Sequence, residues 1–166
     1  MKNLLFLCGP NGIGKTTIGK EIVKILPNSA YVDSDPCRLM NPFDLNDDTI
    51  PTVSENISGM ILNYFHCPVV QTVLFSYGFH GRRKEVFERV MGRISVFQHR
   101  FIPYLLWCSE EENRKRMKID HRDQARMERA IEISRKAYQN IPYQRLDITD
   151  LTAVQAAERI RCEAGL

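Results

Sequence analysis

A glycine-rich segment near the N-terminus constrains the fold of this chain more than any other feature. Residues 9–16 read Gly-Pro-Asn-Gly-Ile-Gly-Lys-Thr and follow the continuous apolar run Leu4–Cys8. Such a run is typical of a strand buried on both faces of a parallel sheet. After the glycines, apolar residues recur at helical spacing, at Ile18, Ile22, Ile25 and Leu26. The order strand, glycine loop, helix predicts the first unit of a parallel α/β fold.

The segment matches the phosphate-binding loop (P-loop) pattern Gly-x4-Gly-Lys-Thr at every fixed position. Glycines let backbone N–H groups curl around phosphates, and the following helix adds the positive end of its dipole. We expect Lys15 to reach the β- and γ-phosphates, Thr16 to ligate Mg²⁺ and Thr17 to donate to the α-phosphate. A plain helix-capping turn is the alternative, which the flanking strand and helix disfavour. The predicted nucleotide-binding residues of the loop are Gly9, Asn11, Gly12, Ile13, Gly14, Lys15, Thr16 and Thr17.

The rest of the chain repeats the alternation of strand and helix. Further strands are predicted at 30–32, 69–75, 101–107 (interrupted early by Pro103) and 143–148. Helices are predicted at 83–93 and 126–139, and after capping boxes that begin at Thr52, Ser109 and Thr152. The sequence therefore predicts a single domain over residues 1–166 with a three-layer α/β/α fold and a five-stranded parallel sheet.

Two carboxylates at the end of the second predicted strand are the next clue. Asp33 and Asp35 are separated by one residue, so both side chains point the same way on an extended chain. In parallel α/β folds, ligands bind at the carboxyl ends of the strands. One carboxylate is suited to hold Mg²⁺ through water, and the other to orient or deprotonate an acceptor hydroxyl. A solvated acidic turn before Pro36 is the alternative.

Motifs of other nucleotide-binding classes are missing from the chain: Asn-Lys-x-Asp, an Asp-x-x-Gly switch and Leu-Ser-Gly-Gly-Gln. With the P-loop and the Asp pair, the chain resembles the shikimate kinase-like and gluconate kinase-like small-molecule kinases, which are related to nucleoside monophosphate kinases. The resemblance implies ATP and Mg²⁺ as cofactors. It also implies that Asp33 assists Mg²⁺ together with Thr16, and that Asp35 contacts the acceptor hydroxyl. The acceptor-binding region is expected at about 36–66.

A basic segment after the fourth predicted strand resembles the arginine-rich lid of these kinases, expected at about 112–130. The resemblance implies that Arg122 neutralises charge on the transferring phosphoryl group and that Arg116 contacts the nucleotide. The pair Arg122-Asp123 looks like the arginine-acid element of such lids. The alternative is a solvated helix face with Glu–Arg pairs. The stretch 146–152 lies where related kinases form the adenine pocket.

Two departures from the resembling families stand out. The third predicted strand ends at Phe75-Ser76-Tyr77, without the acidic residue that many P-loop proteins place there for Mg²⁺. The segment 78–83 lacks the triple glycine expected of a shikimate site, so shikimate itself is not the expected acceptor. Arg82 and Arg83 open the next helix, where they either bind an anionic acceptor or are surface charge.

Composition adds modest limits. The net charge of +3 fits a phosphorylated ligand, whereas a nucleic-acid partner would favour a more basic chain. The five cysteines form no Cys-x-x-Cys pair, which favours free thiols and the cytoplasm. No membrane partner is expected, and monomer and homodimer stay open. The predicted function is an ATP- and Mg²⁺-dependent phosphotransferase acting on a hydroxyl of a small molecule.

The alternatives are a nucleotide kinase, an antibiotic phosphotransferase of the same fold, and a non-catalytic ATP-binding switch or regulatory ATPase. A nucleic-acid end kinase is disfavoured by the modest charge, and GTP as donor stays open.

Overall fold

A single parallel sheet organises the chain. The computed structural model describes residues 1–166, and its five strands are β1 (Lys2–Cys8), β2 (Ser29–Asp33), β3 (Thr72–Ser76), β4 (His99–Trp107) and β5 (Gln144–Asp147). They pair in the order β2-β3-β1-β4-β5, with every neighbouring pair parallel. The predicted five-stranded parallel sheet is therefore confirmed. Its central strand, β1, leads directly into the P-loop.

Helices cover both faces of the sheet. The main ones are α1 (Lys15–Ile25), α2 (Thr49–His66), α3 (Arg83–Ile94), α4 (Glu110–Ile119) and α7 (Ala153–Ala164). The short helices α5 (Gln124–Arg129) and α6 (Arg135–Ala137) flank a π-helical turn, Ala130–Ser134. One apolar core lies between the sheet and α2 with α3, and a second lies between the sheet and α1 with α7. These three layers match the predicted architecture.

Strand β1 shows how the pattern of the sequence produces the two cores. Leu4, Phe6 and Cys8 contribute to the core under α2 and α3, while Leu5 and Leu7 contribute to the core under α1 and α7. All five are fully buried. Alternate residues of a strand point to opposite faces, so an unbroken apolar run is what a strand covered on both sides requires.

The predicted start of α2 at a Thr52–Glu55 capping box is wrong. The helix begins at Thr49, because the Asn46 side chain accepts hydrogen bonds from the backbone N–H groups of Asp48 and Thr49, at 3.0 Å each. Pro51 therefore lies in the first helical turn, where its missing N–H has no intrahelical partner to lose.

Two strand boundaries also differ from the expectation. Pro103 does not interrupt β4, because pairing with β5 begins only at Tyr104 and one side of the strand is free of a partner at the proline. Strand β3 begins at Thr72 rather than residue 69, and Val69 is exposed.

The helix predicted at 126–139 is divided into α5, the π-helical turn and α6. None of the helices combines the length and apolar character that crossing a bilayer requires.

Candidate active site

The P-loop connects the end of β1 to the start of α1. Gly9, Gly12 and Gly14 have φ angles of 146°, 75° and 101°, which are strained for residues with a side chain. Lys15 Nζ donates to the carbonyl oxygens of Gly9 and Pro10, both at 2.9 Å. The lysine side chain thus folds back across the loop, over the position where P-loops hold phosphate.

Side chains from α4 and from the π-helical turn support the loop. The fully buried Asn113 donates through Nδ2 to the Asn11 carbonyl at 3.2 Å. The Asn11 N–H donates to Ser134 Oγ at 3.1 Å, from the last residue of the π-helical turn. A Cβ on Gly12 would lie 2.2 Å from Met117 Cγ, so glycine is needed there for close packing on α4. The side chain of Ile13 is fully buried and anchors the loop in the core.

Strand β2 ends at Asp33, and Asp35 lies just beyond it with helical backbone angles, so the prediction that both carboxylates lie on one extended strand is wrong, although both lie beside the loop. Asp33 Oδ2 accepts a hydrogen bond from Thr16 Oγ1 at 3.3 Å, and Asp33 Oδ1 accepts one from the Asp35 N–H at 3.1 Å. Asp35 is more open, with a side chain 68% exposed, and pairs with Arg38 of the short 3₁₀ turn Pro36–Arg38. The two carboxylates are therefore not equivalent. Asp33 is fixed against the loop threonine, and Asp35 faces the cleft.

These residues share one cavity of about 230 Å³ at the carboxyl ends of β1, β2 and β3. The predicted site residues that line it are Asn11, Gly12, Gly14, Lys15, Thr16, Thr17, Asp33, Asp35 and Arg122. Of the others, the loop residues Gly9 and Ile13 are buried and do not line the cavity, and Arg116 lines a neighbouring cavity. The structure thus brings the predicted phosphate, metal and acceptor residues to one place.

A second cavity, of about 590 Å³, adjoins the first and shares Gly12, Gly14, Thr17 and Asp120 with it. It lies between α4 and the loop after β5, and Thr149–Ala153 form one wall. This is the stretch expected to form the adenine pocket. Its size suits a nucleoside, and its position continues the line of the P-loop.

Arg116 joins the walls of the second cavity. Its guanidinium donates to the carbonyl oxygens of Ile13 at 3.1 Å, Ile148 at 2.7 Å and Leu151 at 3.3 Å. Its Nε donates to Glu112 at 2.8 Å. Arg116 therefore borders the cavity chiefly by fixing the backbone around it, and its contact with a nucleotide stays a prediction.

Arg122 is the lid arginine that reaches the smaller cavity. It pairs with Asp120 at 3.6 Å. Asp123, its expected acidic companion, instead caps α5 by accepting from the Arg126 N–H at 2.8 Å. Asp120 was missed by the sequence reasoning. It is two residues from Arg122, in a turn whose shape depends on His121 at a φ of 53°.

Positive charge crowds the ammonium group of Lys15. Burial, together with the nearby Arg83 and Arg122 guanidiniums, lowers its pKa from 10.5 to about 8. Only the charged ammonium attracts phosphate strongly, and a bound phosphate raises its pKa.

We therefore expect nucleotide affinity to depend on pH through Lys15. With a pKa near 8, the lysine is about nine-tenths charged at pH 7 and about one-tenth charged at pH 9, so the Kd of Mg-ADP rises roughly tenfold between them. Calorimetry in buffers of different ionisation enthalpy measures both the Kd and the proton uptake, which grows with pH. A Lys15→Arg variant, whose side chain does not titrate here, should lose this dependence; an unchanged pH profile would contradict the assignment.

The fold recurs among solved structures. The tunicamycin resistance protein of Deinococcus radiodurans matches with a TM-score of 0.69 and 17% identity, over 100% of this chain and 97% of that one. A gluconokinase from Sinorhizobium meliloti matches with a TM-score of 0.62 and 13% identity, over 98% and 93%. Shikimate kinase from Acinetobacter baumannii, in complex with shikimate, matches with a TM-score of 0.62 and 16% identity, over 99% and 94%.

The sequence itself gives no such match. No family model fits it, and a comparison with curated proteins finds no similar sequence. Its structural neighbours include P-loop small-molecule kinases, and the resemblance drawn from the P-loop and the Asp pair is confirmed at the level of the fold. The chain has the three-layer α/β/α fold of those kinases.

Proposed function

We propose that the protein is an ATP- and Mg²⁺-dependent phosphotransferase that moves the γ-phosphoryl group to a hydroxyl of a small molecule. The observation that carries the proposal is the difference between the two carboxylates beside the P-loop. Asp33 is held by Thr16 at 3.3 Å, while Asp35 is open to the same cavity. A kinase needs one acidic group near the metal and a second near the acceptor.

The loop and its lysine bind the donor. Backbone N–H groups of the loop and the N-terminus of α1 face the phosphates, and Lys15 bridges the β- and γ-phosphates. The larger cavity accepts the nucleoside. Arg122 enters the phosphate cavity from the lid side and offsets the charge that spreads over the phosphoryl oxygens during transfer.

The oxygens near the loop fit Mg²⁺. Thr16 Oγ1 and Asp33 Oδ2 lie 3.3 Å apart, and hard oxygen donors are the ligands this ion prefers. Mg²⁺ is commonly held by one or two protein groups, substrate phosphates and water, and it neutralises phosphate charge. Thr16 and Asp33 are the residues that would hold it.

Asp35 acts on the acceptor. Its carboxylate lines the cavity and would accept the proton of the attacking hydroxyl, and the ion pair with Arg38 keeps it oriented. We expect Asp35→Asn to lower kcat by about 10²–10⁴-fold, the usual contribution of a general base, while the Kd of Mg-ADP stays within about twofold. Single-turnover kinetics and calorimetry measure the two effects. Wild-type kcat in Asp35→Asn would remove Asp35 from the mechanism.

The decisive experiment for the activity uses γ-labelled ATP with Mg²⁺ and a metabolite extract, followed by mass spectrometry of the labelled products. Label in a small metabolite, lost with Lys15→Ala and Asp35→Asn, would establish the transfer and reveal the acceptor. Label released only as free phosphate, or tight nucleotide binding without turnover, would instead favour the switch or regulatory ATPase.

A second candidate acceptor class is an antibiotic. It is supported by the TM-score of 0.69 with a tunicamycin resistance protein across the whole of this chain. Tunicamycin therefore belongs in the acceptor panel beside sugars, sugar acids and nucleosides. A higher kcat/KM with tunicamycin than with the other acceptors of the panel would favour an antibiotic as the acceptor.

A further inference from the structure

Two arginines stand at the acceptor end of the small cavity, and they come from different elements. Arg38 ends the 3₁₀ turn after β2, and Arg83 begins α3. Both line the cavity that contains Lys15 and Asp35. Burial and then the nearby Arg38 charge hold the pKa of Arg83 below its ordinary value. Two cations that repel each other have been brought together in a partly buried place.

Their hydrogen-bonding capacity is mostly unused. The Arg83 guanidinium makes no hydrogen bond or ion pair, although its neighbour Arg82 is paired with Asp47 and Glu85. Arg38 gives Nη2 to Asp35, but its buried Nη1 has no partner. A buried guanidinium N–H without an acceptor costs free energy, so the buried Nη1 of Arg38 indicates an acceptor yet to bind.

A third unpartnered group lies beside them. The Tyr77 side chain is 1% exposed, and its buried hydroxyl has no hydrogen-bond partner. Burial raises the pKa of Tyr77 to about 12, so the hydroxyl remains a donor near neutral pH. Tyr77 lines the same cavity as Arg38 and Arg83. Three donors, two of them charged, thus converge on a space with one carboxylate, Asp35.

Lys15 and Arg122 already supply positive charge for the phosphates of the donor nucleotide, so Arg38 and Arg83 are not needed for that purpose. Lys15 lies against the loop, and Arg122 lines the cavity from the turn after α4. Arg38 pairs with Asp35, the residue assigned to the acceptor, and Arg83 lies close to Arg38 and Asp35 as well as to Lys15. A planar guanidinium matches an oxyanion with two N–H groups, which makes an arginine pair well suited to a carboxylate or phosphate.

We propose that Arg38, Tyr77 and Arg83 bind an oxyanion of the acceptor, so that the substrate is a compact hydroxylated acid carrying a carboxylate or a phosphate ester. This inference rests on the proposed phosphotransferase function. Because Arg38 contacts Asp35 through one terminal nitrogen and offers the other, the reactive hydroxyl and the oxyanion lie on two sides of one guanidinium. The acceptor is therefore small, with its hydroxyl a few bonds from its charge.

Binding of simple anions tests the site without knowledge of the substrate. The protein is first saturated with Mg-AMPPNP, which fills the P-loop, and inorganic phosphate or acetate is then titrated by calorimetry. We expect a single anion site whose Kd becomes about ten- to a hundredfold weaker in Arg83→Gln and Arg38→Gln, the loss typical of a charge-assisted hydrogen bond. Tyr77→Phe, which keeps the ring, should weaken it less. The arm that binds more tightly distinguishes a phosphate ester from a carboxylic acid.

Arg82→Gln is the matched control, because Arg82 is adjacent in sequence but points to solvent-exposed partners. Equal weakening by Arg82→Gln would show general surface attraction and overturn the site. Unchanged anion binding in Arg83→Gln and Arg38→Gln, with Mg-AMPPNP bound normally, would overturn this inference alone. Failure of Mg-AMPPNP to bind the wild-type protein would overturn the proposed function and this inference with it.

Once the labelling experiment has identified an acceptor, kinetics give a second readout. Arg83→Gln should raise the KM for an acid acceptor by about ten- to a hundredfold and leave the KM for ATP within about twofold. A KM increase for ATP instead would place Arg83 on the donor and overturn the inference.

Discussion

Replacing Lys15 with alanine is expected to lower kcat/KM for ATP by about 10³-fold, in line with the loss of one preorganised charged donor at a phosphoryl-transfer site. The structure places Nζ 2.9 Å from two loop carbonyls, directly across the phosphate position. Its charge stabilises the β- and γ-phosphate oxygens, where charge shifts during transfer. Steady-state kinetics with the identified acceptor, or the rate of label transfer in the extract, measures the effect.

Lys20 provides the matched control, since it is an exposed lysine on the same helix, α1. Lys20→Ala removes the same charge from the chain without touching the cavity, so its kcat/KM should stay within about twofold of the wild type. If Lys15→Ala kept more than a tenth of the wild-type rate, the loop would not be holding ATP as proposed. Circular dichroism and thermal unfolding confirm that the variants are folded.

Gly9→Ala is expected to have the largest effect on stability. Gly9 has a φ of 146°, and a Cβ there would lie 2.5 Å from the backbone carbonyl oxygen of Leu106 in β4. Neither backbone is free to move, because β1 and β4 are paired in the centre of the sheet. Backbone strain and overpacking together cost about 2–5 kcal/mol of unfolding free energy. For a chain of this size, that corresponds to a Tm lowered by roughly 5–20 °C.

Gly81→Ala separates conformational strain from the clash. Gly81 also has a positive φ, of 57°, but no atom lies within 4 Å of a Cβ built there. We expect it to cost only about 1 kcal/mol, from the left-handed backbone alone. Thermal unfolding of the two variants side by side tests the argument. Equal Tm values for both would mean that the contact with Leu106 relaxes at no cost.

The P-loop unit was predictable because its signals agree with one another. The apolar run of β1, the three glycines and the periodic apolar residues of α1 each require the same local structure, and their order specifies a parallel sheet. The position of Asp33 at the end of β2 followed from the strand pattern, whereas Asp35 lies in the turn beyond the strand. The different environments of the two carboxylates did not follow from the sequence, since Asp33 contacts Thr16 only when β2 lies beside the loop.

The sequence rule for helix capping failed at the start of α2, where two different caps were possible. Thr52 and Glu55 match a capping box, yet Asn46 lies upstream and binds two backbone N–H groups with one side-chain oxygen. An asparagine satisfies this role only if the preceding loop turns correctly, and short motifs do not encode that turn. The sequence rule found a chemically sound cap that the fold does not use.

The residues proposed to bind the acceptor carry little signal in the sequence. Arg38 follows Asp35 by three residues, and an i, i+3 pairing on a short helical turn was the available signal. In the sequence Tyr77 resembles an ordinary core aromatic, and only its unpartnered hydroxyl distinguishes it.

The residues that support the P-loop could not be predicted either. Asn113 and Ser134 are more than 100 residues from Asn11 in the chain. Contacts over such distances follow from the tertiary fold.

The hydrogen bonds of Arg116 to the loops around the site have a consequence for turnover. One side chain of α4 binds the loop carbonyl of Ile13 and two carbonyls after β5. Met117 and Met127 pack α4 against α5, so both helices are fastened to the phosphate site. Arg122 itself lies in the short turn 120–123, whose Asp120 and Arg122 N–H groups donate to carbonyls of Arg116 and Met117 at the end of α4. Movements of such turns take nanoseconds to microseconds, whereas swinging whole domains takes microseconds to milliseconds. We therefore expect the chemical step or product release, rather than a slow closing motion, to limit the rate of turnover.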